Sequence, residues 1–295
     1  MSKASEDYLK KDSDVSALES LFAGSLSGVV ARAVTAPLDT IKIRLQLQQT
    51  KNAQVSGTLV ISRLLREEGV RALWKGNVPA EFLYVLYGAV QFTSYSALNH
   101  SFHEFQQHHG VELLKLTHAF FVGCATGIVS TMVTYPFDLL RTRLVAHEAK
   151  NFLSMTSIAR QILRSQGVRG FYFGLQPSLF SFVASSGLFF WSYSLARTAT
   201  EALPVEQIWG VEALCGFAAG TTAKALSFPL DTIRKRVQIM RPDSVLSMLK
   251  QNWKAHSLRG FYKGFLVSLL KTAPTSAISI AVYERTIAFE RKQRL

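Results

Sequence analysis

Long apolar runs and shorter polar stretches alternate along the chain in a regular order. The first apolar run, residues 18–35, leads into a proline followed by charged residues, and two later runs end in the same way. After each polar connector comes a second apolar run, over residues 78–102, 177–199 and 266–289. Each run is about long enough to cross the hydrocarbon core of a bilayer. The pattern therefore predicts an all-α membrane protein with six transmembrane helices.

The charged segment after each proline has the same spacing in all three copies: an acid two residues on, a base three further, and a second base two beyond that. The three copies are Pro37, Asp39, Lys42, Arg44; Pro136, Asp138, Arg141, Arg143; and Pro229, Asp231, Arg234, Arg236. A second set of similar segments follows the charged ones, over residues 69–76, 167–174 and 257–264, and we call these the landmark segments. Because a charged segment and a landmark segment recur together three times, the chain is expected to consist of three tandem units.

We place these units at residues 15–110, 111–205 and 206–295, after a polar tail over residues 1–14. Each unit opens with two glycines four residues apart, a spacing that lets membrane helices approach closely. The pairs are Gly24 and Gly28, Gly123 and Gly127, and Gly216 and Gly220. Each connector also holds a shorter amphipathic segment, such as residues 56–67, which we expect to lie on the bilayer surface.

Composition narrows the class of protein. Hydrophobic residues make up 48% of the 295 residues, yet the net charge is +13. A basic nucleic-acid-binding protein would explain the charge, but it predicts a soluble chain and leaves the six apolar runs without a role. No metal-ligand cluster, nucleophile or glycine-rich phosphate loop stands out. We therefore expect neither an enzyme nor a metal site, no resident cofactor and no nucleic-acid partner.

The prolines and charges together predict a movable layer. Pro37, Pro136 and Pro229 are expected to kink their helices, because proline removes a backbone donor and its ring clashes with the preceding turn. Ionisable groups at membrane depth need partners. We expect each acid to meet the base of a neighbouring unit, as Asp39–Arg141, Asp138–Arg234 and Asp231–Lys42. Gln46 and Gln238 are placed to bridge such pairs.

The tripled motif resembles that of the mitochondrial carrier family, over nearly the whole chain. The resemblance implies a multi-pass transporter of the mitochondrial inner membrane, monomeric in function, with three two-helix repeats around a threefold pseudo-axis and short amphipathic matrix helices. In that family the paired charges form a gate on the matrix side. The resemblance also implies bound cardiolipin, at Gly69, Trp74, Lys75, Gly76, Gly167, Gly174, Lys263 and Gly264.

A second charged network of the family, on the cytoplasmic side, is reduced in this sequence. The family has an aromatic residue, an acid and a base on each even-numbered helix. Only one acid and one base remain among the matching residues Tyr95, Ser96, Asn99; Tyr193, Ser194, Arg197; and Tyr283, Glu284, Ile287. We therefore expect the cytoplasmic side to close less firmly, which would permit uniport beside exchange.

The family resemblance places a substrate site midway through the membrane. The six corresponding positions here are Arg32, Thr131, Lys224, Leu83, Ser181 and Lys271. Three of these positions are cations and none is an acid, which favours an anionic phosphate ester as the substrate. Nearby residues suited to a ring system are Tyr84, Tyr87, Gln91, Phe182, Ser185 and Thr272. Helix packing explains the aromatic residues equally well, and the sequence assigns no role to Glu81.

Within the family, residues 35–47, 83–92 and 135–146 look most like carriers of thiamine pyrophosphate in fungi. This resemblance implies import of thiamine pyrophosphate by alternating access. Coenzyme A and adenine nucleotides remain alternatives, because they too join phosphates to a ring.

Overall fold

A computed structural model describes residues 17–48, 57–109, 115–147, 153–201, 211–240 and 244–294. Throughout these ranges the secondary structure is helical. The polar tail predicted for residues 1–14 and the predicted unit boundaries at 110–111 and 205–206 lie outside them. The helices are α1 Ala17–Leu47, α2 Gly57–Glu67, α3 Asn77–His109, α4 Lys115–Ala146, α5 Met155–Gln166, α6 Leu175–Glu201, α7 Val211–Met240, α8 Val245–His256 and α9 Phe265–Arg294.

The order of elements repeats three times. Each unit has a long helix, a short helix of 11 or 12 residues, a 3-10 turn and a second long helix. The 3-10 turns are Val70–Trp74, Val168–Tyr172 and Leu258–Phe261. The predicted all-helical fold with three repeats is therefore confirmed.

The second long helix of each repeat packs mainly against the first long helix of the next. Thus α3 packs against α4, α6 against α7, and α9 returns to α1. The helices α1, α4 and α7 also contact one another. This cyclic packing brings the three charged motifs together although they are far apart in sequence.

Two segments of the described chain, Val168–Ala196 and Leu258–Glu290, are long and apolar enough to cross a membrane by length and composition alone. Few of their residues are buried inside the protein, unlike those of a core helix in a soluble protein. The first long helix of each repeat carries a charged motif near its end, which lowers its apolar character. The prediction of six transmembrane helices stays a prediction.

The motif prolines lie inside continuous helices rather than at their ends. Pro37 cannot donate to the carbonyl of Ala33, four residues earlier. The indole nitrogen of Trp74 donates to that oxygen instead, at 2.8 Å. The helix therefore tolerates proline here because the 3-10 turn of its own repeat supplies the missing donor. The predicted kinks stay a prediction, and α9 contains a further proline, Pro274, which the motif did not predict.

Two landmark glycines allow close contact between repeats. Gly76 has φ of +77°, and a Cβ there would lie 2.9 Å from the carbonyl oxygen of Arg141 on α4. Gly264 has φ of +86°, and a Cβ there would lie 3.1 Å from the carbonyl oxygen of Lys42 on α1. An L side chain would be strained at both positions and would push the next repeat away.

The short helices are amphipathic, as predicted for the first of them. Ser154 caps α5 by accepting from the backbone of Thr156, and Ser244 caps α8 in the same way. Such caps satisfy backbone donors that the first turn leaves unpaired. On α5 the apolar face buries Ile158 and Ile162 against α4.

Candidate functional site

A cavity of about 630 Å³ lies between the six long helices, each of which contributes to its wall. Aromatic and hydroxyl side chains form one part of the wall, and charged side chains form another. The charged set comprises Asp39, Lys42, Asp138, Arg141, Lys224, Asp231, Arg234, Lys235 and Lys271, which we name the ion-pair layer. It lies where α1, α4 and α7 carry their motifs, and we name this end of the molecule the motif end.

The three predicted pairs between repeats are present in the ion-pair layer. Arg141 lies 2.6 Å from Asp39, and Arg234 lies 2.5 Å from Asp138. Lys42 lies 3.8 Å from Asp231, at the long end of the range for an ion pair. Every motif acid is therefore opposite a base of a neighbouring repeat.

Each motif acid also has a second cationic partner. The ammonium of Lys271 contacts both oxygens of Asp39, at 2.6 and 2.8 Å. Lys235 lies 2.8 Å from Asp138, and Lys224 lies 2.9 Å from Asp231. These contacts place the bases Lys224 and Lys271, predicted to bind substrate, on the carboxylates predicted to form a gate.

The layer consequently holds six bases and three acids, an excess of three positive charges. Because these groups are largely shielded from water, their charges are poorly screened. Sequence reasoning missed Lys235. The signal was present in the run Arg234-Lys235-Arg236, because the other two motifs have Ile43 and Thr142 at the matching position.

The two glutamines expected to bridge ion pairs behave differently. Gln238 donates to Asp138 at 2.8 Å and lies 3.3 Å from the hydroxyl of Tyr135. Gln46 is buried, but neither polar atom of its amide has a hydrogen-bond partner among the described residues. Gln238 thus lies between Asp138 and Lys235, which is 3.3 Å from its side-chain oxygen, rather than between Asp138 and Arg234, and the structure forms no bridge at Gln46.

Most of the residues predicted to contact substrate line the cavity. Those in its wall are Leu83, Tyr84, Tyr87, Thr131, Phe182, Lys224, Lys271 and Thr272. Arg32 lies behind the wall, with its guanidinium carbon 3.2 Å from the centroid of the Tyr84 ring. No carboxylate within the described ranges forms an ion pair with Arg32. Its contact with Tyr84 is a cation–π interaction.

The other three predicted residues lie outside the cavity wall. Ser181 is buried and donates to Asp231 at 3.4 Å, and Ser185 donates to the carbonyl oxygen of Ser181 at 2.6 Å. Gln91 is exposed. Ser181 therefore contacts the ion-pair layer, Ser185 bonds its own helix, and the structure does not bring Gln91 into the wall.

Glu81 lies on α3, one turn before Tyr84 and therefore on the same side of the helix. Both of its carboxylate oxygens are shielded from solvent, and the cations whose fields reach it are Arg32 and Arg141. Because Arg141 is already paired with Asp39, Glu81 acts chiefly on Arg32. Its place is thus beside the substrate site rather than at the protein surface.

The residues predicted to hold cardiolipin divide into two groups. Lys75 is buried, is paired with Glu68 and donates to the carbonyl of His147 at 3.1 Å. Its ammonium is therefore not presented to a lipid headgroup, and Trp74 donates to Ala33 as described above. Lys263 is more open than Lys75. Gly174 and Gly264 directly precede the long helices α6 and α9.

The end of the long helices away from the motifs, which we name the opposite end, shows no comparable layer among the residues that the structure describes. Glu284 forms no ion pair with any described side chain, and the side chain of Arg197 is outside the described set. At Asn99 the structure shows a contact without a carboxylate instead. The ring of His118 on α4 lies 2.9 Å from the Asn99 side-chain oxygen and 3.0 Å from that of Gln106.

Comparisons with known proteins agree with this architecture. The family model described as mitochondrial carrier protein matches residues 13–106, 112–201 and 206–293. A mitochondrial thiamine pyrophosphate carrier 1 of Lodderomyces elongisporus is 50% identical, over 100% of this chain and 98% of the relative. Proteins with the same name are 48% identical in Candida albicans, over 100% and 99% of the two chains, and 37% identical in Saccharomyces cerevisiae, over 97% and 98%. The chain therefore belongs to the mitochondrial carrier family, a family of transporters.

Proposed function

We propose that this protein imports thiamine pyrophosphate across the mitochondrial inner membrane by alternating access. The observation that carries the proposal is the cavity, in which aromatic residues adjoin a layer with three excess positive charges. A diphosphate ester of a flat ring system has the matching chemistry. Relatives of 48–50% identity over nearly their full length carry the name of this substrate.

In this proposal the six long helices cross the bilayer around a threefold pseudo-axis. Their cyclic packing supports the axis, because each repeat contacts the next and the last returns to the first. Large apolar side chains such as Phe92, Phe217 and Leu266 are exposed, as expected for positions that face lipid. An even number of crossings places both termini on the same side.

The phosphates would bind Arg32, Lys224 and Lys271. We expect Arg32 to be the first contact, because it forms no ion pair among the described residues, although the charge of Glu81 acts on it. Lys271 and Lys224, in contrast, must exchange Asp39 and Asp231 for the substrate. Tyr84, Tyr87 and Phe182 would flank the aminopyrimidine and thiazolium rings by stacking. Binding of the substrate would therefore loosen the ion-pair layer, because the same lysines take part in both.

The ion-pair layer would serve as the gate on the matrix side. An ion pair at about 4 Å attracts by roughly 4 kcal/mol at an effective dielectric constant of about 20. Desolvation cancels much of that attraction. Such a layer can close firmly enough to seal the cavity and still open when a diphosphate takes two of its six bases. The weakly paired opposite end would then permit uniport beside exchange.

We also propose a monomer with bound cardiolipin. The site needs no second copy, since every charge in the ion-pair layer comes from one chain. The N-termini of α6 and α9 directly follow Gly174 and Gly264, and the positive end of a helix dipole suits a lipid phosphate. Gly69, Gly167 and Lys263 lie on the same landmarks. Protein depleted of lipid is expected to regain thermal stability with cardiolipin but not with phosphatidylcholine.

Uptake by proteoliposomes tests the substrate. Purified protein is reconstituted into liposomes that contain thiamine pyrophosphate, coenzyme A, an adenine nucleotide or buffer, and labelled thiamine pyrophosphate is added outside. We expect uptake with internal thiamine pyrophosphate, and slower uptake with buffer alone. Brisk exchange of coenzyme A or nucleotide without uptake of thiamine pyrophosphate would refute thiamine pyrophosphate as the substrate, but it would still show that the protein is a carrier.

A further inference from the structure

Gly127 on α4 is in direct contact with the ring of Phe182 on α6. A Cβ placed on Gly127 would overlap the ring edge at Cε1 and Cζ. The contact joins the two long helices of the second repeat, which otherwise touch little. Since carbon atoms pack at about 3.5–4.0 Å, only a residue without a side chain leaves the ring its present position.

The matching glycines of the other repeats have no such neighbour. A Cβ on Gly28 would meet nothing within 4 Å, and a Cβ on Gly220 would meet the ring of Phe189 at an ordinary 4.0 Å. Gly123, the other glycine of the pair in the second repeat, also has open space around it. The need for glycine at this position is therefore a property of repeat 2 and of its Phe182 neighbour.

Phe182 is also part of the cavity wall, with Tyr84, Tyr87 and Thr131. Thr131 follows Gly127 by one helical turn, so the glycine lies beside the wall rather than in it. A ring that loses its place against α4 has to rotate toward open space, and the open space next to it is the cavity. A side chain at Gly127 would consequently change the part of the cavity that faces a ring of the substrate.

We propose that Gly127 is a positioning residue that seats Phe182 against α4 and so keeps the cavity open to a flat, ring-bearing phosphate ester. This inference rests on the proposed function, because the ring of thiamine pyrophosphate is what Phe182 would meet. The cations proposed to bind phosphate lie on α1, α7 and α9, whereas this contact joins α4 and α6. Gly127 therefore governs recognition of the ring and leaves recognition of the diphosphate unchanged.

Kinetics of Gly127→Ala test the inference against Gly28→Ala as the matched control. We expect Gly127→Ala to raise KM for thiamine pyrophosphate about tenfold, equivalent to about 1.4 kcal/mol, with kcat within about twofold. Inhibition of uptake by inorganic diphosphate, which has no ring, should be retained. Gly28→Ala should transport like the wild type.

A double variant separates positioning from general helix damage. In Gly127→Ala with Phe182→Leu, the ring edge that meets the new methyl group is gone, so KM should equal that of Phe182→Leu alone. Additive losses, parallel weakening of diphosphate inhibition, or a Gly127→Ala variant equal to wild type would each overturn the inference. Absence of thiamine pyrophosphate uptake in the wild type would instead refute the proposed function.

Discussion

The motif end and the opposite end of the long helices are held together by different chemistry. At the motif end, three carboxylates are each shared by two bases, and five of the six pairs join different repeats. At the opposite end, the described contact between helices at Asn99 is to His118 and involves no carboxylate. Charge-assisted hydrogen bonds are roughly twice as strong as neutral ones. The motif end should therefore be the more firmly closed end in this conformation.

Lys271→Ala should have the largest effect, because it removes a base from both the substrate site and the ion-pair layer. Truncating one member of a buried charge pair costs about 2–5 kcal/mol, so we expect at least about a thirtyfold loss of uptake. Membrane insertion should be retained. Lys250→Ala, on the exposed face of α8, is the control for loss of a lysine. Unchanged transport kinetics in Lys271→Ala would show that Lys271 does not bind the substrate.

Asp138→Asn tests how much the motif end contributes to stability. Asp138 accepts bonds from Arg234, Lys235 and Gln238, and its loss leaves two buried bases without a carboxylate. Removing one member of a buried pair costs about 3–5 kcal/mol. We expect a clear fall in Tm of the detergent-solubilised protein. Glu67→Gln, in an exposed pair with Arg63, should leave Tm within about a degree or two, because such pairs contribute little.

Gln238→Leu and Gln46→Leu form a matched pair within the same layer. Gln238 bonds Asp138, so its loss should destabilise the protein by about 1–3 kcal/mol. Gln46 is buried without a partner among the described residues, so leucine there should be neutral or stabilising. Chemical denaturation in mild detergent would measure both free energies of unfolding. Equal losses would show that Gln46 forms bonds in solution that this conformation lacks.

His118→Ala concerns the opposite end alone. It removes contacts to Asn99 and Gln106, and a hydrogen bond of this kind contributes about 0.5–1.5 kcal/mol. We expect a loss of stability smaller than that of Asp138→Asn. A larger loss would show that the opposite end is the firmer of the two and would reverse the comparison.

The ion-pair layer could be predicted because its information is periodic in sequence. Three copies of one spacing indicated three equivalent helices, and cyclic order then fixed that Asp39 meets Arg141. Lys235 and Lys75 were not predicted in their roles, because the partner of each depends on tertiary contacts. The difference between Gln46 and Gln238 was beyond the sequence for a similar reason: it depends on side-chain orientation within a buried layer.

The substrate site was predicted less completely than the fold. The positions of Lys224 and Lys271 followed from their register with the motif, but their pairing with the motif acids did not. The contact between Gly127 and Phe182 was also not predicted, because a glycine spacing typical of helix packing does not show which side chain fills the space. A repeat pattern shows what the three copies share, so it does not reveal a residue whose role depends on one specific neighbour.

Asp39 differs from the other two motif acids in what it connects. It lies on α1 of the first repeat and accepts from Arg141 of the second and Lys271 of the third. The described ion pairs of Asp138 and of Asp231 each join only two repeats, although Ser181 of the second repeat also donates to Asp231 at 3.4 Å. The carboxylate of Asp39 thus joins all three repeats by ion pairs. If one repeat moves away from it, the charges that the other two repeats contribute are no longer neutralised in the same way. Separation of the helices at this point should be all-or-none, which disfavours half-open states through which small ions would leak.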